Sequence, residues 1–199
     1  MFREFWQPQM MLIGYDSFFK KRTTFKGRHE EGVAICYKRD NFQLFKTVDI
    51  EFNNVASEYE MPTMVRDRVI NDDVGLIAFL QPWAPQYLKS AICFASAMFS
   101  DKDDDSDVRG MQSNYLVRCI ELANKDFQLP VIVGVSMYDE PSSPAYHVLR
   151  TGRLQLVHAA PKKCPVPKVE PLCRGSVRYS FILFNTILFN TAQFVALKI

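Results

Sequence analysis

The chain has 199 residues, of which 48% are hydrophobic and 23% charged, with a net charge of +2. That length allows one domain with a substantial core, and the composition excludes a disordered chain. So small a positive excess does not by itself point to nucleic acid.

Met1-Phe2-Arg3-Glu4-Phe5-Trp6 is charged and aromatic, not basic and then apolar, so no secretory leader is expected. Residues 2–13 carry Phe2, Phe5, Trp6, Met10 and Leu12 at roughly helical spacing, and Gly14 stops the segment. Residues 15–20 read as a strand and 22–31 as a polar loop. Residues 32–37 form an apolar run of strand length. After the turn at Arg39-Asp40-Asn41, residues 42–52 alternate well enough to predict the return strand of a hairpin. Residues 53–72 are polar, a loop with a helical turn, and Asp72-Asp73 reads as exposed loop charge.

Two further strands are predicted at 74–80 and 91–99, joined by Gln81-Pro82-Trp83-Ala84-Pro85, which is not expected to continue a strand. The acidic run Asp101-Lys102-Asp103-Asp104-Asp105-Ser106-Asp107 lacks the central Gly and final Glu of a calcium loop. It reads as a solvated loop whose charge complements the next helix's dipole. Ser106 or Asp107 is expected to cap that helix, which runs to Asn124 with an apolar face of Val108, Met111, Tyr115, Cys119 and Leu122. A strand follows at 129–135. A helix then begins at Pro141-Ser142-Ser143-Pro144 and ends at Gly152.

Residues 159–172 carry Pro161, Pro165, Pro167 and Pro171 and read as a linker closing a first domain at 1–158. The 173–199 tail is apolar, and Ile182-Leu183-Phe184-Asn185-Thr186 recurs at once as 187–191, an aggregation hazard if exposed. Its Asn and Thr residues argue against a spanning helix, so no membrane partner is expected. The five cysteines (Cys36, Cys93, Cys119, Cys164 and Cys173) are odd in number and lack framework spacing, which points to free thiols in a reducing compartment, the cytoplasm. With no Cys-x-x-Cys and only scattered histidines (His29, His147, His158), no zinc site is expected.

Several segments occur in a recognisable order: Phe5-Trp6-x-Pro8, the run 14–22, the run 31–38, Glu51-Phe52-Asn53, Val74-Gly75-Leu76-Ile77-Ala78 and Pro141-Ser142-Ser143-Pro144-Ala145-Tyr146. Over residues 2–154 they resemble the endonuclease/exonuclease/phosphatase superfamily, in its branch of carbon catabolite repressor deadenylases, nocturnin and Angel proteins. The resemblance implies an α/β fold, a partial four-layer sandwich of two β-sheets flanked by helices that lacks the first and last strands. It also implies a magnesium-dependent phosphodiesterase removing 3′ nucleotides from poly(A) RNA, with single-stranded RNA as partner and no DNA expected. In such chemistry carboxylates and amides hold hard cations and a His–Asp pair positions water.

Most of those residues are missing or replaced. The family's Thr-His-Leu-Phe motif falls on Ser96-Ala97-Met98-Phe99, which puts Ala97 at the His. Its Gly-Asp-Phe-Asn motif falls on Val135-Ser136-Met137-Tyr138, which puts Ser136 at the Asp and Tyr138 at the Asn. The Asn expected before the strand at Val74 is Asp73. Asp139 and Glu140 are acids that a slipped loop could offer to a metal, and otherwise solvated turn acids before Pro141. Lys20, Lys21, Arg22, Phe25, Lys26 and Arg28 mix cations with aromatics in a way that suits single-stranded RNA. Taken together these readings describe an impaired phosphodiesterase, or else a non-catalytic RNA- or protein-binding remnant or gene fragment. A second, shorter likeness covers Pro167-Lys168-Val169-Glu170-Pro171-Leu172 and Ser176-Val177-Arg178-Tyr179-Ser180, similar to the opening strands of a fibronectin type III module.

Overall fold

The computed structural model describes residues 2–23, 31–83 and 91–152, together with the backbone of Tyr179–Phe181 and Phe194–Lys198. One sheet runs β1 (Tyr15–Lys21), β2 (Gly32–Lys38) and β8 (Phe194–Lys198), all antiparallel. The other runs β3 (Phe42–Glu51), β4 (Val74–Pro82), β5 (Ile92–Met98), β6 (Val131–Ser136) and β7 (Tyr179–Phe181). It is antiparallel as far as β5 and parallel from β5 to β7. The parallel step needs a long crossover, which is supplied by helix α4 (Ser106–Asn124).

Strand alternation sorts the apolar side chains into layers. Val33 and Ile35 of β2 meet Leu76 and Ala78 of β4 and Phe94 and Met98 of β5 between the sheets. The intervening residues of the second sheet, Ile77, Phe79, Ala95 and Val133 among them, face the other way. They pack under α4 and under α5 (Pro144–Thr151), against Leu116, Ile120 and Val148. On the outer face of the first sheet Phe19 stacks on Phe2 with ring centroids 4.5 Å apart. Phe2 belongs to a π-helical turn (Phe2–Trp6) that continues into α1 (Gln7–Leu12). Short helices α2 (Val55–Glu58) and α3 (Thr63–Val69) complete the other outer layer. This is the expected sandwich of two sheets flanked by helices. The proline-rich stretch and the repeated pentapeptide lie outside the described residues, while the two short strands of the tail pair with β6 and β2.

Three expectations are corrected. The turn at Arg39-Asp40-Asn41 closes no hairpin, because β2 pairs with β1 and β8 while β3 pairs with β4. It carries the chain from one sheet to the other. Six consecutive residues of β2 are buried, since both of its faces are covered, and that demand decides its neighbours over the short turn. Strand β4 continues through Pro82, opposite Phe42. Pairing with β5 has already stopped at Leu80–Ile92, so no partner on that side needs an amide hydrogen from the proline.

The third correction concerns α4. Leu122 is 69% exposed, and the buried face runs through Val108, Arg109, Gln112, Leu116, Ile120 and Ala123. Hydrophobic spacing misses a face that includes a buried arginine and glutamine whose partners are distant in sequence. The residue preceding the helix is Asp105. Its side chain does not cap but accepts from the Ser100 hydroxyl at 2.6 Å and from Arg68 Nε at 2.9 Å.

Candidate active site

One end of the second sheet gathers the residues singled out above. Strand β4 begins just after Asp73, β5 ends at Met98 and β6 at Ser136. The register sets Gly75 opposite Ala97, Ala97 beside Val135 and Met98 beside Ser136. The end of β1 brings Arg22 to the same place.

Alternation then decides which side chains face the gap between the sheets. Met98, 2% exposed, points into it with Phe94, whereas Ala97 packs under the helices with Cys93 and Ala95. Ser136 shares the face of Ile132, which packs on the inter-sheet core. The gap-facing strand-end residues are therefore Met98 and Ser136, while Asp73, just before β4, is bound from α4 by Gln112 and from the end of β1 by Arg22. Tyr138 is 48% exposed beyond the end of β6. Strand periodicity carried forward from Phe94 would have identified Met98 from the sequence.

Asp73 is not exposed loop charge but is 2% exposed. Gln112 Nε2 donates to its Oδ2 at 2.8 Å, and an Arg22 guanidinium nitrogen lies 3.1 Å from Oδ1. Asn71 Oδ1 accepts from the Asp73 amide at 3.3 Å. The preceding residue, Asp72, takes a left-handed φ of +62°, held by reciprocal hydrogen bonds with the Asn53 side chain at 2.8 and 3.0 Å. Burial raises the Asp73 carboxyl to about 6, outweighing the Gln112 hydrogen bond and the Arg22 charge, which both lower it.

A pH dependence follows from that shift. The ordinary value for an aspartate in an unfolded chain is about 3.9. Between about pH 4 and pH 6 the folded state holds a proton that the unfolded chain has released. This contribution to stability is complete below that window and is lost as pH rises through it, amounting to about 3 kcal/mol at most. Urea unfolding at pH 4.5 and pH 7 should show this fall in the parent and a smaller one in Asp73→Asn. An equal fall in both proteins would remove Asp73 from the account.

Asp139 is not a solvated turn acid. Its side chain is 6% exposed, and its Oδ1 accepts from Arg109 Nη2 at 2.6 Å. Glu140 remains exposed. The acidic run is likewise organised by arginine. Arg109 donates to the carbonyls of Ser100, Lys102 and Asp103, and Arg68 pairs with Asp105 and Asp107. Asp105 is 2% exposed, so the run is not a wholly solvated loop.

A hard divalent cation wants several oxygen donors, carboxylates among them. At this sheet end Met98 offers a thioether, Ser136 a neutral hydroxyl, and the Asp73 and Asp139 carboxylates are each bound to an arginine. Among the described residues no three His, Cys, Asp or Glu side chains converge. The residues present do not fit the magnesium that the resemblance implies. The Cys36 and Cys93 thiols offer no soft site either, since burial pushes both up to about 12.

Of the expected RNA-contacting residues, Lys20 reaches Glu51 at 2.8 Å and Asp49 at 3.3 Å. Arg22 is held by Glu31, Asn71 and Asp73, and Lys21 is exposed at the strand end. Phe25, Lys26 and Arg28 lie outside the described residues. Among the described residues no helix is long and apolar enough to cross a membrane.

No family model matches the chain. It is 30% identical to protein angel homolog 2 of Bos taurus over 151 residues, 74% of this chain and 26% of the relative. It is 26% identical over 188 residues to carbon catabolite repressor protein 4 homolog 2 of Arabidopsis thaliana, covering 86% of this chain and 30% of that one. The crystal structure of Angel2, a 2′,3′-cyclic phosphatase, in complex with adenosine-2′,3′-vanadate matches with a TM-score of 0.60 at 27% identity, over 77% of this chain and 41% of the other. The chain thus spans 26% to 30% of the length of these curated relatives. With two stacked sheets flanked by helices and the polar strand ends on one edge, the chain belongs to the endonuclease/exonuclease/phosphatase superfamily, in the branch of the carbon catabolite repressor 4, nocturnin and Angel proteins.

Proposed function

We propose that the chain is an RNA-end-binding member of this phosphodiesterase family, close to the poly(A) 3′–5′ exoribonucleases, with impaired hydrolysis. The observation that carries the reading is the make-up of this sheet end, where Asp73, Met98 and Ser136 stand. None of them supplies a histidine, and the one carboxylate is engaged by Arg22 and Gln112. An enzyme of this class needs a positioned base for water, and losing it costs about 10²–10⁴-fold in rate. The family is in general divalent-metal dependent, and the poor fit of the donors at this sheet end to such an ion supports the same reading. Likeness to carbon catabolite repressor relatives and to an Angel2 structure carrying an adenosine-2′,3′-vanadate supports a ribonucleotide 3′ end as the ligand. The free thiols Cys36, Cys93 and Cys119 support a reducing, cytoplasmic setting.

The test is paired binding and turnover with magnesium, on a 3′-adenylated oligonucleotide and on one ending in a 2′,3′-cyclic phosphate. Binding without shortening or ring opening is expected. Turnover at the relatives' rates would overturn the impaired reading. If that turnover disappeared in Asp139→Asn, Glu140→Ala while the variant's thermal midpoint stayed near the parent's, the metal site would be a relocated one. A second reading, a protein-binding remnant, draws on the internal ion pairs that occupy Lys20 and Arg22. Absence of RNA binding would favour it.

A further inference from the structure

We infer that the Arg22 guanidinium, and not a divalent cation, carries the positive charge at the Asp73 carboxylate. The inference rests on reading this sheet end as the family's reaction site. Three oxygens from separate parts of the chain converge on that one guanidinium. Glu31 Oε2 accepts from Nη1 at 3.0 Å, the Asn71 carbonyl accepts from Nη2 at 2.8 Å, and Asp73 Oδ1 lies 3.1 Å from Nη2. Two carboxylates and a carbonyl are the donors a hard cation would ask for, and a planar, permanently charged fork fills their midst. The Arg22 side chain is only 19% exposed, and Asp73 is held from the other side by Gln112. A cation reaching Asp73 would have to displace an arginine already bound to every one of these oxygens. The arrangement also accounts for an acid standing where the family's amide is expected. A buried carboxylate needs a counter-charge that an amide does not, and β1 delivers it.

Manganese is the probe, followed by its paramagnetic effect on water relaxation and by the thermal midpoint in chelator and in about 1 mM metal, a level that fills only sites of at least moderate affinity. The proteins are the parent, Arg22→Met, Arg22→Lys, Asp73→Asn and the double variant Arg22→Met, Asp73→Asn. The parent is expected to hold no manganese and to melt at the same temperature with and without it. Arg22→Met is expected to melt about 5–10 °C lower in chelator. It should recover part of that loss with manganese, while binding one ion. Adding Asp73→Asn should abolish that ion and raise the chelator midpoint above that of Arg22→Met alone, because the orphan carboxylate is gone. Arg22→Lys should stay near the parent.

One bound manganese in the parent, lost in Asp73→Asn, overturns the inference. So does an Arg22→Met protein as stable as the parent in chelator. A midpoint lowered equally in Arg22→Lys and unmoved by manganese also overturns it, since Arg22 would then act by packing. Should Arg22→Met fail to fold, the double variant decides: folding supports the inference and failure to fold overturns it. No substrate enters these measurements, so RNA binding can fail while this result stands, or the reverse.

Discussion

Arg109→Met should lower the stability of the fold by about 3–5 kcal/mol, the usual consequence of removing one partner of a buried ion pair. The Arg109 side chain is 2% exposed and that of Asp139 is 6% exposed. Methionine keeps much of the apolar stem, so the loss isolates the charged head. That head donates to Lys102 O at 2.6 Å, Ser100 O at 3.2 Å, Asp103 O at 3.3 Å and Asp139 Oδ1 at 2.6 Å. One side chain on α4 thereby ties the loop after β5 to the loop after β6, and in the variant four acceptors lose their donor at once. For a chain of this size the thermal midpoint should drop on the order of 10 °C. Adding Asp139→Asn removes the stranded charge, so the double variant should be more stable than Arg109→Met alone. A midpoint within about 2 °C of the parent, equivalent to less than about 1 kcal/mol, would mean that water reaches Asp139 and that the pair is no keystone.

Arg109 also marks where legibility in the sequence stops. Runs of apolar residues bounded by turns placed six strands within a residue or two, because burial of a strand is written in consecutive positions. Helix α5 was legible at both ends. Ser143 Oγ accepts from the Tyr146 amide at 3.3 Å, and Gly152 takes a φ of +69° that a residue with a side chain resists. What stayed hidden depends on partners far along the chain. The spacing on α4 pointed to Leu122, because nothing local announces that Arg109 and Gln112 find acceptors at Asp139 and Asp73, 30 and 39 residues away. Sheet membership of β2 and β3 was hidden for the same reason. At the candidate site, the acid at Asp73 was visible, but its engagement by Arg22, across 51 positions of sequence, was not.

On the proposed reading the family's histidine is replaced in this chain, and substitution decides at which position. Ala97→His should cost about 3–5 kcal/mol, overpacking and an unpartnered polar ring together. Ala97 is 3% exposed under the helices, and the neighbouring strand is so close that a Cβ built on Gly75 would meet the Ala97 Cβ at 3.3 Å. Met98→His should cost less, about 2–3 kcal/mol, because it escapes the overpacking and bears only lost apolar burial and a buried polar ring. Its side chain is replaced by one of similar size facing the inter-sheet gap, with Ser136 beside it in the register. That outcome moves the family's Thr-His-Leu motif by one residue, onto Ala97-Met98-Phe99. A tolerated Ala97→His beside a damaging Met98→His would reverse the faces of β5 and return the histidine to Ala97. On the impaired reading proposed above, only a side chain on the gap face beside Ser136 stands where the family's histidine would act, so Met98→His with Ser136→Asp is the pair from which recovery of hydrolysis is expected to begin.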